Sequence, residues 1–260
     1  MGGLTLGGGL GWLMGRCGLA VDNLLSVDIV TADGRVQRAS PADDADLFWA
    51  VRGAGANFGV AASLEHRLHP VGPTITGGLV AYPFDKAREV LRFYRQATAS
   101  LADEFTIFAG LIHAPDGTKL AAVVLCHSGP LDAGATAAGP IKSFGAPLMD
   151  TVGPMSYCDL NAMLDAAYPK GALSYWKSNF LARLSDDAID TMIDPLQEAE
   201  QGRELVPGMG LARRERQVRQ QRLGLPGRDG EELPRARLHL ESAEEPHRQP
   251  THAAIPVGRP

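Results

Sequence analysis

The sequence predicts an α+β fold in which helices cover a mixed sheet. Strand-like and helix-like segments alternate from residue 24 to residue 200, and Gly, Pro and Asp-Gly breaks separate them at short intervals. A third observation bounds the fold. All 16 aromatic residues lie in 1–200, and the last 60 residues have no Phe, Trp or Tyr.

The elements follow in order. Met1–Gly11 is a glycine-rich loop. Leu24–Thr31 (LLSVDIVT) is apolar and β-branched, and Val36–Ala39 resumes after Ala32-Asp33-Gly34, so Asp33-Gly34 turns a β-hairpin. Asp43 and Asp44 open a helix over Ala45–Arg52, because acids suit a first turn. Gly53-Ala54-Gly55 stops it, Phe58–Leu68 has strand character, and Pro70 and Pro73 close the unit. Ile75–Tyr82 reads as a strand and Phe84–Ser100 as a helix with Ala87, Val90, Leu91 and Tyr94 on one stripe. Glu104–His113 and Lys119–Cys126 are strands flanking a Pro115-Asp116-Gly117 turn. Leu131–Gly139 is an Ala/Gly-rich helix that Pro140 ends, and Ser185-Asp186-Asp187 starts a helix over Ala188–Glu200 that Pro195 kinks or splits.

Composition removes several function classes. The chain has 260 residues, 45% hydrophobic and 21% charged, which excludes global disorder and collagen-like structure. No apolar run reaches the ~20 residues of a membrane helix, and Met1–Gly18 lacks a signal-peptide pattern, so a cytoplasmic protein without a membrane partner is expected. Cys17, Cys126 and Cys158 form neither a disulfide scaffold nor a zinc site. Residues 201–260 hold 11 of the 20 arginines, 7 prolines and 7 glycines, which predicts a disordered tail. Those arginines lack interleaved aromatics and accompany eight acids, a net charge of only +3, which argues against nucleic acid.

Two glycine segments are candidates for chemistry. In Gly2-Gly3-Leu4-Thr5-Leu6-Gly7-Gly8-Gly9-Leu10-Gly11, backbone without Cβ atoms lets a ligand approach, and successive N–H groups bind phosphate oxygens. The alternative is a flexible terminus. Arg52-Gly53-Ala54-Gly55-Ala56-Asn57-Phe58-Gly59-Val60 looks like a dinucleotide fingerprint but follows a helix and precedes a strand, the reverse of the Rossmann order. By itself it is a helix C-cap and strand entry. His66 and His69 leave a strand and read as exposed or structural, and His113 and His127 fall at strand ends with no metal-binding spacing. No Gly-x-Ser-x-Gly elbow points to a hydrolase.

Taken together, the segments form an ordered series: Thr5–Gly11, Gly18-Leu19 with Asp22-Asn23, Val30-Thr31-Ala32-Asp33-Gly34, Asp46-Leu47-Phe48-Trp49-Ala50 and Arg52–Val60. This series resembles the FAD-linked oxidases of the berberine-bridge-enzyme-like branch, with the vanillyl-alcohol-oxidase (PCMH-type) FAD-binding fold. Tyr175-Trp176-Lys177-Ser178 resembles the family's Lys-Ser strand, with Tyr175 and Lys177 facing flavin or substrate as the alternative to an ordinary core or surface face.

The resemblance implies three regions. Residues 1–70 are the C-terminal part of a PCMH-type FAD-binding domain, 71–200 a partial mixed-sheet substrate domain, and 201–260 a disordered or out-of-frame tail. It implies FAD contacts at Gly2, Gly3, Leu4, Thr5, Gly8, Gly9 and Gly11, and at Asn57, Gly59 and Val60 on the closing strand. Related enzymes with a histidine at the position of Leu4 have a polar contact that this chain lacks. The implied reaction is hydride transfer from a hydroxylated or amine-type small molecule to flavin, with O2 as acceptor. No catalytic base is identified. The family's upstream Arg-x-Gly-Gly-His segment and closing Asn-Tyr-rich segment are not in this sequence, so weak FAD binding and impaired activity are expected. A non-catalytic truncated or frameshifted fragment is the alternative, and a flavin-free ligand-binding module over Ile75–Glu200 is a third.

Overall fold

The computed structural model describes residues 1–114, 116–165, 171, 181 and 183–198. The Tyr175–Ser178 segment and the 201–260 tail lie outside the described residues.

Gly2–Leu6, expected within a loop, forms a short helix, α1, and Met14–Cys17 forms a second, α2. Glycine disfavours helix, so tertiary contacts decide here. Leu6 packs with the Phe48 and Val51 cluster, and the buried Thr5 hydroxyl lies 3.1 Å from His66 Nε2. A 3-10 turn over Ala20–Asn23 then leads into β1 (Leu24–Val30). The Asp33-Gly34 turn forms as expected: Gly34 takes φ +78°, and β2 (Val36–Ala39) pairs back antiparallel, Val27 facing Ala39 and Val30 facing Val36. Helix α3 (Ala45–Ala54) starts at Asp44, whose carboxylate accepts the Leu47 N–H at 3.1 Å. Strand β3 (Val60–His66) runs antiparallel along the other edge of β1, giving the order β2-β1-β3. Phe48 and Val51 of α3 pack on Leu24, Val27, Ile29 and Ala39 of this sheet.

The second sheet is built from β4 (Thr74–Pro83), β5 (Phe105–His113), β6 (Lys119–His127), β7 (Met149–Asp150) and β8 (Gly153–Ser156). Helix α4 (Ala87–Ala97) connects β4 to β5 and buries the stripe read from the sequence: Ala87, Val90, Leu91 and Tyr94. The strand order is β5-β6-β4-β7, with β8 also on β4. Every described pairing is antiparallel, which corrects the expected mixed sheet. The α4 crossover does leave β4 and β5 running the same way, but β6 lies between them and opposes both.

Helix α5 (Leu131–Ser143) continues through Pro140, where a stop was expected. The turn beyond the proline is held by the buried Ile141, whose carbonyl accepts the Tyr82 hydroxyl at 2.7 Å. Helix α6 (Tyr157–Ala162) follows β8. Helix α7 (Asp186–Glu198) likewise runs unbroken past Pro195, with Leu196 fully buried beyond it. Helices α4, α5 and α7 cover one face of the second sheet around Tyr82, Leu111 and Leu125. Trp12 and α6 lie on the other, around Leu79, Ala122 and Cys126.

Candidate functional site

The two glycine segments meet. A Cβ placed on Gly55 would stand 2.7 Å from the Leu6 side chain, so α1 rests directly on the end of α3. The helical geometry of α3 breaks at Arg52 and Gly53, Gly53 taking φ +121°, and a short 3-10 turn over Gly55–Asn57 leads to β3. The broken turn brings the backbone of the second segment beside the first.

The glycines divide into two groups. At Gly3, Gly8, Gly11 and Gly53 a Cβ would meet nothing within 4 Å, so open space borders the backbone. Gly9 and Gly59 are instead packed against protein: a Cβ on Gly9 would collide with Ala20 and one on Gly59 with the Val30 carbonyl. These two glycines therefore have packing reasons of their own, and a Cβ on Gly2 would make only ordinary contact, 3.8 Å, with the Leu64 side chain. Thr5 is occupied on all sides. Its N–H donates to Met1 O, its carbonyl accepts from Gly8, and its hydroxyl pairs with His66.

The amides that follow differ. The carbonyls of Gly8 and Gly9 accept from Val21 at 3.1 Å and Ala20 at 2.9 Å, while the N–H groups of Gly9, Leu10 and Gly11 have no acceptor among the described residues. Gly8 and Gly9 both lie at positive φ, +112° and +86°. Successive free N–H groups in such a stretch form a concavity suited to anionic oxygens. Asn57 is held by a bond from its Nδ2 to Ala54 O at 3.1 Å, and Val60 at the start of β3 is 71% exposed.

A polar network supports this backbone. Arg52 donates from Nε to Val21 O at 3.0 Å and pairs through Nη2 with Asp22 Oδ1 at 3.4 Å, and its guanidinium lies 5.5 Å over the Phe48 ring. Asp22 Oδ2 accepts the Leu19 N–H at 2.9 Å, and Asn23 Nδ2 donates to the Cys17 and Leu19 carbonyls. His69, exposed on the surface, has its Nε2 2.6 Å from Asn23 Oδ1. Arg52 carries no role that the sequence alone assigns. The signal in the sequence is a fixed charge directly before Gly53-Ala54-Gly55.

No family model matches the sequence. An FAD-linked oxidoreductase of Dictyostelium discoideum is 30% identical over 195 residues, 75% of this chain and 42% of that protein. Over the matched residues the chain is similar to FAD-linked oxidoreductases. It spans less than half the length of the curated relatives it matches. Among solved structures, 6-hydroxy-D-nicotine oxidase from Arthrobacter nicotinovorans shares 29% identity at a TM-score of 0.57, covering 65% of this chain and 38% of that one. A xylooligosaccharide oxidase from Myceliophthora thermophila shares 26% identity at 0.51, covering 65% and 35%.

These relatives are FAD-linked, and the residues present here fit part of an FAD molecule. Free amides at Gly9–Gly11 suit diphosphate or flavin oxygens, and the open sides of Gly3, Gly8, Gly11 and Gly53 leave room that side chains would fill. Other polar features of the chain are tied up elsewhere. A cleft of about 670 Å³ at the start of α5 is lined by Arg16, Glu104, His127 and Asp132. Arg16 there holds the Ser128 and Pro70 carbonyls, and His127 Nδ1 accepts the Gly129 N–H. Burial pushes the Cys126 thiol up to about 12 and raises Tyr157 as well, so neither is ionised near neutral pH. No group of three His, Cys, Asp or Glu side chains among the described residues could hold a metal.

Proposed function

We propose that this chain works in FAD-dependent oxidation of a hydroxylated or amine-type small molecule. In this reading, residues 1–70 are the C-terminal part of a PCMH-type FAD-binding domain and 71–200 part of the substrate domain. When bound, FAD supplies the hydride acceptor and passes the electrons on to O2. The observation that carries the reading is the run of free amides at Gly9–Gly11 beside glycines open to space, in a relative of FAD-linked oxidoreductases. Oxidases named for a hydroxynicotine and for oligosaccharides among its relatives support the substrate class.

Each residue has a role. Gly9, Leu10 and Gly11 donate N–H groups to anionic oxygens, which neutral donors solvate without a counter-charge. Gly2, Gly3, Leu4 and Gly8 line the approach, and Asn57, Gly59 and Val60 close it from the start of β3. Thr5, with every polar group engaged, braces α1 on His66 and would act on FAD only through the loop it holds.

Titration of the purified chain with FAD, followed by flavin fluorescence, tests this. A weak but saturable change is expected, with flavin released to the supernatant on acid precipitation. An unsaturable response would overturn the reading.

A further inference from the structure

Arg52 joins three stretches that are far apart in sequence. Its side chain is 16% exposed and that of its partner Asp22 is 6% exposed, so the pair sits largely out of water, where an ion pair is held by geometry rather than screened away. The guanidinium donates from Nε to the Val21 carbonyl and from Nη2 to the Asp22 carboxylate. Both acceptors belong to the 3-10 turn over Ala20–Asn23. The same turn donates the Ala20 and Val21 amides to the carbonyls of Gly9 and Gly8. The circuit runs from Arg52 through Val21 to Gly8, so the carbonyl and the amide of Val21 are engaged on its two sides. Arg52 also occupies the residue where α3 loses helical geometry, immediately before Gly53.

We propose that Arg52 is the positioning residue that fixes the Gly8–Gly11 amide run against the second glycine segment. The proposal rests on the FAD reading for its purpose but not for its geometry. With the carbonyls of Gly8 and Gly9 drawn toward Val21 and Ala20, the following N–H groups are presented outward. Without Arg52, the turn that holds those carbonyls keeps its own Asp22 and Asn23 bonds and its ties to Arg67 and His69 at the Asn23 end. Val21, however, loses the link to α3 that sets the run's direction relative to Gly53–Asn57.

The test uses the full chain and two readouts. In Arg52→Ala, amide hydrogen exchange at Ala20 and Val21 should accelerate by about tenfold or more, the amount a lost charge-assisted hydrogen bond implies, while exchange in β4 and β6 stays as in the parent. FAD affinity should fall in step, and added ethylguanidinium should restore both. Arg52→Lys, which keeps the charge but lacks the planar two-donor fork, should lie between. Unchanged protection at Ala20 and Val21 overturns the clamp, as does a loss of FAD affinity without a change in exchange. Should Arg52→Ala fail to fold, Asp22→Asn and Arg52→Lys carry the same exchange comparison. A parent that binds no FAD, together with accelerated exchange in the variant, upholds the clamp and sinks the FAD reading instead.

Discussion

The β5-β6-β4-β7 sheet has buried side chains on both faces, whereas β2-β1-β3 is covered on one face by α3 and leaves Val36 and Val60 at its rims 69% and 71% exposed. The first region is held by apolar burial. The second relies on a small apolar cluster plus directional bonds: Arg52 to Asp22, Thr5 to His66, and Arg38 to Asp28 and Glu65. On the proposed reading, a backbone that presents glycines to a ligand cannot also bury large side chains there, so hydrogen bonds and ion pairs take over the positioning.

The sharpest way to test that contrast is inside the larger core. Leu125 is fully buried between β6 and the covering helices, and Leu125→Ala should destabilise the protein by about 2–5 kcal/mol in urea unfolding. If exchange at Val27 and Ile29 is unaffected under native conditions, the two regions open separately. A smaller effect is expected at Gly59, which takes φ +138° and whose Cβ would collide with Val30 O. Gly59→Ala should cost roughly 1–3 kcal/mol, read as a lowered Tm, with its damage confined to residues 1–70. A neutral outcome would mean that the β1–β3 rim yields more easily than its packing implies.

The smallest effect belongs to the charged seam between α4 and α7. Hydrogen bonds from Arg92 and then Arg95 hold the Asp186 carboxyl below its ordinary value of 3.8. Because the folded value is the lower one, this contribution is present above the ordinary carboxylate range and is lost as pH falls through the depressed value. All three side chains are substantially exposed, so screening keeps it slight. Asp186→Asn should flatten the acid limb of the stability curve slightly, and added salt should shrink the difference further.

Local chemistry was legible where it decides structure. Asp33-Gly34 turned its hairpin, Asp44 capped α3, and the stripe on α4 named its buried face. The misses came where distant residues overrule local preference. Nothing in Gly2–Leu6 favours a helix until Leu6 finds Gly55 and Thr5 finds His66. Pro140 and Pro195 should interrupt, but Ile141 and Leu196 are buried just beyond them. Strands β7 and β8 are short, and β8 contains a proline, so they carry no alternation to read. At the site, the glycine series was visible as a pattern. Which glycines face open space and which are packed against Ala20 or Val30 depends on partners elsewhere in the chain, as does the clamp on Val21.

The insertion of β6 between β4 and β5 also sets an order of events. β5 and β6 are joined by residues 114–118 and can zip as a local hairpin, but β4 has no partner until β6 exists. During synthesis β4 emerges first, and α4 and β5 follow while both of its edges are still bare. Its far edge is closed only when residues 149–156 arrive as β7 and β8. Thr74–Pro83, apolar through most of its length, is therefore the segment of this chain most exposed to wrong pairing on the ribosome, and chaperone contact or aggregation of nascent chains should concentrate there.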